Sequence, residues 1–113
     1  MVNETGFRAD MRLSAGEAAN EVLTSTNVRV ETLDLSGDAG IEWQRCPVSD
    51  RVFVVTKGSG YVCRAHGRDD VCDPVAAGDV VYLKRLVWHR IVTDDALTGV
   101  LVTSPPMEVE IRR

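Results

Sequence analysis

Residues 78–89, which read GDVVYLKRLVWH, are the stretch that most restricts the set of folds expected for this chain. Gly78-Asp79 is typical of a turn, and the apolar, β-branched residues that follow, from Val80 to Leu83, are typical of a strand. A second segment of the same character begins at His89 and runs to Thr93. The stretch therefore predicts two short strands, the second of which begins with a histidine.

The same alternation of short apolar segments and turns continues on both sides of this stretch. Turns that contain glycine, proline or aspartate recur about every 8–12 residues, which predicts an all-β sandwich or barrel. About eight strands are expected, at residues 28–35, 41–46, 51–56, 61–65, 71–72, 80–83, 89–93 and 97–103.

A helix is predicted only near the N-terminus. Ser14-Ala-Gly-Glu17 has the spacing of a capping box, so a short helix is expected from Ala15 to Leu23. Residues 1 to about 13 have no clear period and are expected to form an arm or an edge strand. The predicted organisation is one domain over residues 1–113, with an N-terminal arm and helix (1–26) and a barrel (28–103).

Composition places the chain among ordinary globular domains and argues against several functions. The 113 residues, 44% hydrophobic and 27% charged, suit a single core. The net charge of −4 argues against a nucleic-acid partner, and no apolar run reaches the ~20 residues that cross a membrane. No secretory signal is visible, so a cytoplasmic protein is expected. The three cysteines, Cys46, Cys63 and Cys72, form no C-x-x-C pair and are expected to be reduced thiols.

Residues 28–103 resemble the cupin superfamily, whose second motif reads G-x5-P-x-G-x2-H-x3-N. Gly78 and His89 keep the spacing of that motif, although its proline, its second glycine and its asparagine are absent. The resemblance implies an all-β, cupin-type jelly-roll barrel of the RmlC-like kind, with a small-molecule pocket inside. Because cupins support many chemistries on one scaffold, the resemblance indicates fold better than activity.

The first cupin motif, G-x5-H-x-H-x3,4-E-x6-G, is altered at its metal-binding positions. If Gly58 is its closing glycine, the two histidine positions fall on Gln44 and Cys46 and the glutamate position falls on Arg51. The resemblance then implies that these three side chains converge with His89 inside the mouth of the barrel.

The altered set of side chains leaves two hypotheses about a metal cofactor open. A guanidinium has no lone pair to give and repels a divalent cation, so a pocket without a metal is the simpler reading. Gln44, Cys46 and His89 would bind a transition metal, as in a depleted oxygenase-like cupin, only if Arg51 turned away. A register shifted by one residue would place Asp50 at the glutamate position.

An inward-pointing Arg51 would predict a pocket for a small anionic metabolite. A guanidinium binds carboxylate or phosphate through two hydrogen bonds and would lower the pKa of a neighbouring thiol. Cys46 and His89 are then candidate catalytic residues for an isomerase, dehydratase or lyase. The candidate substrate-binding residues are Arg51, Gln44, Phe53 and Tyr82.

Each candidate also has a purely structural reading. Arg51 could form a salt bridge with Glu42 or Asp50, Cys46 could be a small buried hydrophobe, and His89 could be a core histidine bonded to the backbone. Tyr82 could point inward or pack on the outside.

A second function would be that of a ligand-sensing module without catalysis, acting through a partner protein. Trp43 and Trp88 flank Gln44 and His89 with the opposite facing, so they are expected outside the barrel, against the helix or a partner subunit. The family resemblance implies a homodimer.

Overall fold

The computed structural model describes residues 17–112, with side chains described from residue 20 onward. All regular structure in this range is β-strand. The ten strands are β1 Glu17–Thr24, β2 Arg29–Ser36, β3 Ala39–Gly40, β4 Gln44–Arg45, β5 Asp50–His66, β6 Asp69–Ala76, β7 Val80–Leu83, β8 His89–Thr93, β9 Ala96–Ser104 and β10 Glu110–Ile111.

The helix predicted from Ala15 to Leu23 is wrong wherever the structure describes it. Residues 17–24 form β1, which pairs antiparallel with β2 from Glu17↔Leu35 to Thr24↔Arg29. A helix this short is marginal by itself, whereas pairing with β2 gives the same backbone a ladder of hydrogen bonds. Residues 1–16, and with them the expected arm and the cap at Ser14, lie outside the described residues. Within residues 17–112 no helix could cross a membrane.

The strands form one curled sheet in the order β1-β2-β9-β5-β8-β4-β10, with β3 on β8 and with β6 and β7 on β5. The long strand β5 joins the two halves of this sheet. Residues 51–54 lie between β7 and β9, and residues 61–64 lie between β6 and β8. Gly58, near the middle of β5, has φ +80°, and a Cβ there would collide with the backbone carbonyl of Ala96.

The inward-facing side chains form two layers, one apolar and one polar. Along β2, Arg29 and Glu31 are buried at one end, and Leu33 and Leu35 at the other. At the end that carries Arg29, Thr103 is the register partner of both Arg29 and Arg51. The apolar layer contains Leu33, Leu35, Phe53, Val55, Ile91, Leu97 and Leu101. We use the name polar layer for Arg29, Glu31, Gln44, Arg51, His89 and Thr103, all of which are buried.

Two of the three cysteines form a disulfide, so the expectation of reduced thiols is wrong for them. Cys63 of β5 and Cys72 of β6 are register partners and are bonded to each other, while Cys46 is free and buried. Sequence spacing did not indicate the pair, because their closeness depends on the register of the β5–β6 hairpin.

Candidate functional site

Arg51 lies at the centre of the polar layer. Its side chain is 0% exposed, because Arg51, Phe53 and Val55 alternate with outward-facing residues along β5. Its Nε donates to Thr103 Oγ1 at 2.9 Å, and its Nη1 donates to Gln44 Oε1 at 2.7 Å. The same Nη1 lies 3.2 Å from His89 Nε2. The structure thus brings Gln44, Arg51 and His89 together inside the barrel.

Glu31 is the acidic partner of Arg51, which sequence reasoning missed. Its Oε1 lies 3.6 Å from Arg51 Nη2 and 3.3 Å from Arg29 Nε. Burial raises the pKa of Glu31, although Arg51 and Arg29 act to lower it. The two-residue alternation of β2 could have indicated that Glu31 is buried, since it shares a face with Leu33 and Leu35. The opposite face of the same strand, however, carries Val28 and Val30 and looks equally apolar.

The salt bridges suggested for Arg51 with Glu42 or Asp50 are wrong. Asp50 pairs instead with Arg85, with an N–O distance of 3.2 Å, on the outside of the barrel. Hydrogen bonds from Arg85 lower the pKa of Asp50 to about 2. Asp50 therefore takes no part in the polar layer, and the shifted register that would place it there is excluded.

His89 is held as a neutral imidazole. Because a guanidinium can only donate, His89 Nε2 accepts from Arg51, and Nδ1 carries the proton that it donates to the carbonyl oxygen of Val87 at 3.1 Å. Burial, assisted by the charge of Arg51, lowers the pKa of His89 to about 3. Both ring nitrogens are engaged, and the ring is uncharged at neutral pH.

Cys46 is a buried thiol and not an activated thiolate. The residue is only 2% exposed, and the positive charge of Arg51 acts on its thiol. Burial raises the pKa of Cys46 more than the neighbouring Arg51 lowers it, so the predicted lowering is wrong. The desolvation of the charged form outweighs the attraction of Arg51 and Arg29, which Glu31 partly neutralises.

The remaining two candidates, Phe53 and Tyr82, do not line the polar layer. Phe53 is fully buried in the apolar layer, where Gly99 leaves room for its ring. Tyr82 is 54% exposed, because Val81 and Leu83 take the inward positions of β7. It lines an outer cleft with Arg64 and Asp73, so its assignment to the barrel pocket is wrong.

These side chains do not fit a metal ion. The oxygen of Gln44 and the Nε2 lone pair of His89, which would have to coordinate the metal, both accept hydrogen bonds from Arg51. Burial raises the pKa of the third possible ligand, Cys46, so a metal would have to displace the thiol proton beside the fixed positive charge of Arg51. Nor do the residues between 17 and 112 include any group of three or more His, Cys, Asp or Glu side chains arranged to hold a metal.

Three buried polar atoms of this cluster have no hydrogen-bond partner among the described residues. They are Arg51 Nη2 and Gln44 Nε2, which are donors, and Glu31 Oε2, which is an acceptor. The amide of Gln44 can be oriented in only one way, because its oxygen must face the donor Arg51. Arg29 and Arg51 together carry one more charge than Glu31 can neutralise. The cluster therefore contains two N–H donors that form no hydrogen bond, beside a net positive charge, and one of them, Arg51 Nη2, also lies 3.6 Å from Glu31 Oε1.

Trp43 and Trp88 lie outside the barrel, but arginines of the same chain cover them. The guanidinium of Arg112 lies 4.8 Å from the ring centre of Trp43 and 5.3 Å from that of Trp88. On Trp88, Arg45 stacks at 4.9 Å. Both tryptophans are half-buried, and Arg45 and Arg112 of the same chain stack on their rings, while contact with a partner subunit stays a prediction.

Solved structures supply the comparison that decides the fold family. A cupin-like protein from Thermotoga maritima MSB8 superposes with a TM-score of 0.78 at 18% identity, over 94% of this chain and 86% of that one. The chain has the cupin fold. An uncharacterised protein with a double-stranded β-helix domain from Klebsiella pneumoniae subsp. pneumoniae MGH 78578 shares it, with a TM-score of 0.78, 18% identity and 90% of each chain covered. Comparison of the sequence itself finds no matching family model and no matching curated protein.

Enzymes are also among the structures that share this fold. A variant of oxalate decarboxylase from Bacillus subtilis has a TM-score of 0.72 at 22% identity, over 88% of this chain and 29% of the enzyme. This chain thus spans less than a third of that enzyme's length. The likeness confirms the predicted cupin barrel, and at such identity it shows the fold alone.

Proposed function

We propose that this protein is a small-molecule-binding cupin whose polar layer holds a small monoanion without a metal ion. The observation that carries the proposal is the pair of buried, unpartnered donors, Arg51 Nη2 and Gln44 Nε2. A carboxylate that entered the polar layer would be able to accept hydrogen bonds from these donors, and charge-assisted bonds of this kind are among the strongest in proteins. Its single negative charge would offset the excess of Arg29 and Arg51 over Glu31.

The proposal also defines which anions bind best. Glu31 Oε2 is a free acceptor next to these donors, so a ligand with a hydroxyl group can donate to it. A dianion such as oxalate would instead bring its second charge toward the Glu31 carboxylate. We therefore infer a preference for small 2-hydroxy monocarboxylates over dicarboxylates.

Binding without catalysis is favoured by the state of the two candidate catalytic groups. The neutral His89 has both nitrogens engaged, and burial keeps Cys46 a thiol. Neither group is poised for proton transfer or nucleophilic attack near neutral pH. Of the two metal-free functions drawn from the sequence, these observations support the ligand-sensing module over the isomerase, dehydratase or lyase.

Thermal unfolding in the presence of small anions tests the proposal. At pH 7.5 and constant ionic strength, melting curves would be measured with chloride, acetate, glycolate, oxalate and zinc. A ligand at 100 times its Kd stabilises the fold by about 2.7 kcal/mol, a shift of several degrees in Tm. We expect glycolate to give the largest shift, acetate a smaller one and oxalate the smallest of the three.

Two site variants and one control make the result specific. Gln44→Leu and Arg51→Lys remove donors from the proposed site and should abolish the anion shifts. Arg85→Lys changes an exposed arginine outside the polar layer and should keep them. The proposal fails if no monoanion shifts the folded wild type, if the site variants respond as the wild type does, or if zinc stabilises the protein through Gln44 and His89.

A further inference from the structure

The chain after β9 crosses the end of the barrel that holds the polar layer. β9 pairs with β2 and β5, whereas β10 pairs with β4 on the other half of the sheet. Residues 105–109, between β9 and β10, form no strand and must pass from one half to the other. Thr103, a member of the polar layer, lies at the point where this crossing begins. We refer to residues 105–112 as the C-terminal strap.

The strap is bonded directly to the polar layer. Arg29 Nη2, from the same guanidinium that pairs with Glu31, donates to the carbonyl oxygen of Met107 at 3.1 Å. The hydroxyl of Ser49, which is 0% exposed, donates to the carbonyl oxygen of Pro105 at 2.5 Å. The strap therefore lies against Arg29 of the polar layer and accepts one of its hydrogen bonds.

The far end of the strap is fastened on the outside of the barrel. Arg112 stacks on Trp43 and Trp88, and its backbone N–H donates to the carbonyl oxygen of Trp43 at 3.0 Å. Glu110 forms an ion pair with Arg45, with an N–O distance of 2.6 Å. These contacts are exposed in part, and such pairs are individually weak.

We propose that the C-terminal strap is a gate through which the small ligand reaches the barrel, with Arg112 as its latch. Three features make it the segment that opens most easily. Strand β10 has only two residues, its crossing has no partner strand, and its latch lies at the surface. Trp43 and Trp88, which hold the latch, each precede a residue of the polar layer, Gln44 and His89. The inference rests on the proposed site, because the gate controls access to it.

Labelling of Cys46 tests the gate without any ligand. Cys46 is 2% exposed, and the charge of Arg51 acts on its thiol. It is the free cysteine of the described residues, since Cys63 and Cys72 are bonded to each other. Its reaction with iodoacetamide, a neutral reagent, would be followed by mass spectrometry in wild type, Arg112→Ala and Arg64→Ala. Arg64 forms a comparable surface ion pair with Asp73, on the β5–β6 hairpin.

We expect Arg112→Ala to react at least tenfold faster than wild type, and Arg64→Ala to react at the wild-type rate. Low concentrations of urea should leave the rate nearly unchanged, because local opening exposes little surface. A rate that rises with urea as steeply as global unfolding would overturn the gate. So would equal rates in wild type and Arg112→Ala when both are equally stable.

A kinetic arm separates this inference from the proposed function. Glycolate should associate and dissociate faster in Arg112→Ala than in wild type, with little change in Kd. If glycolate binds at the same rates in both proteins, the gate is refuted and the binding site stands. If Cys46 labelling responds as expected and no anion binds, the proposed function is refuted and the opening segment stands.

Discussion

Replacing Arg51 by methionine would test the buried ion pair at the centre of the polar layer. Methionine fills similar space but donates no hydrogen bond, so Glu31, Gln44 and Thr103 each lose a partner. Breaking a buried ion pair from one side lowers the free energy of unfolding by about 3–5 kcal/mol when the remaining charge loses all compensation. Arg29 Nε stays 3.3 Å from Glu31 Oε1, so the lower end of that range is expected. We expect a loss of that size at pH 7.5.

The surviving carboxylate should also give the variant a characteristic pH dependence. Unit charges 3.6 Å apart, the distance between Arg51 Nη2 and Glu31 Oε1, attract by about 4.6 kcal/mol at an effective dielectric constant of about 20. Loss of that attraction raises further a pKa that burial already raises. A carboxyl whose folded pKa exceeds its unfolded value stabilises the fold fully at low pH, and this contribution disappears as the pH rises.

Urea unfolding followed by tryptophan fluorescence at pH 5, 6 and 7 would measure both effects. We expect Arg51→Met to lose about 1.4 kcal/mol for each pH unit above about pH 5. The double variant Arg51→Met/Glu31→Gln should lose that slope, because no titrating group remains opposite the missing guanidinium. If Arg51→Met is as stable as wild type at pH 7, or titrates no more steeply than the double variant, Glu31 is not buried against Arg51.

Three further predictions concern His89, Gly58 and the oligomeric state. His89 has a folded pKa of about 3, below its unfolded value of about 6.5, so the stability it contributes is present above pH 6.5 and is lost as the pH falls. The stability difference between wild type and His89→Gln should therefore shrink by about 1.4 kcal/mol per pH unit between pH 6 and 4, and a constant difference in urea melts would contradict this. Gly58→Ala should lower the free energy of unfolding more than Gly67→Ala does, by at least about 1 kcal/mol, because both have positive φ but only Gly58 faces the Ala96 carbonyl. Equal losses in the two variants would refute that steric reason. The homodimer implied by the family resemblance stays a prediction, and light scattering would show it as the mass of two chains, whereas the mass of one chain would contradict it.

The parts of the site that follow from period-two alternation and motif spacing were predictable from the sequence. The inward facing of Arg51, Phe53 and Val55 follows from one strand, and the contact of Arg51 with Gln44 and His89 was implied by the resemblance of two segments to the cupin motifs. The first prediction uses the alternation of side chains within a strand, and the second uses the number of residues between the positions of a motif. Such patterns are visible in a single chain.

What the sequence could not show depends on pairing between distant strands. Glu31 reaches Arg51 because β9 lies between β2 and β5, an order that no local pattern encodes. The same limit applies to Cys63 and Cys72, whose contact depends on hairpin register. The wrong prediction of a helix near the N-terminus has a related cause. Residues 17–24 have only a weak helical preference, and pairing with β2 holds them as a strand instead. For Cys46, the direction of the pKa change depended on how deeply the thiol is buried, which spacing does not give.

The two-layered interior separates what makes this barrel fold from what gives it chemistry. Residues of the polar layer can be substituted while the apolar layer is kept, so the protein is a suitable scaffold for installing a metalloenzyme centre. Installing the ligand pattern of the first cupin motif would take histidines at 44 and 46 and glutamate at 51. The carboxylate at 31 would then have to be removed in the same step, because it would face a second acid with no guanidinium between them.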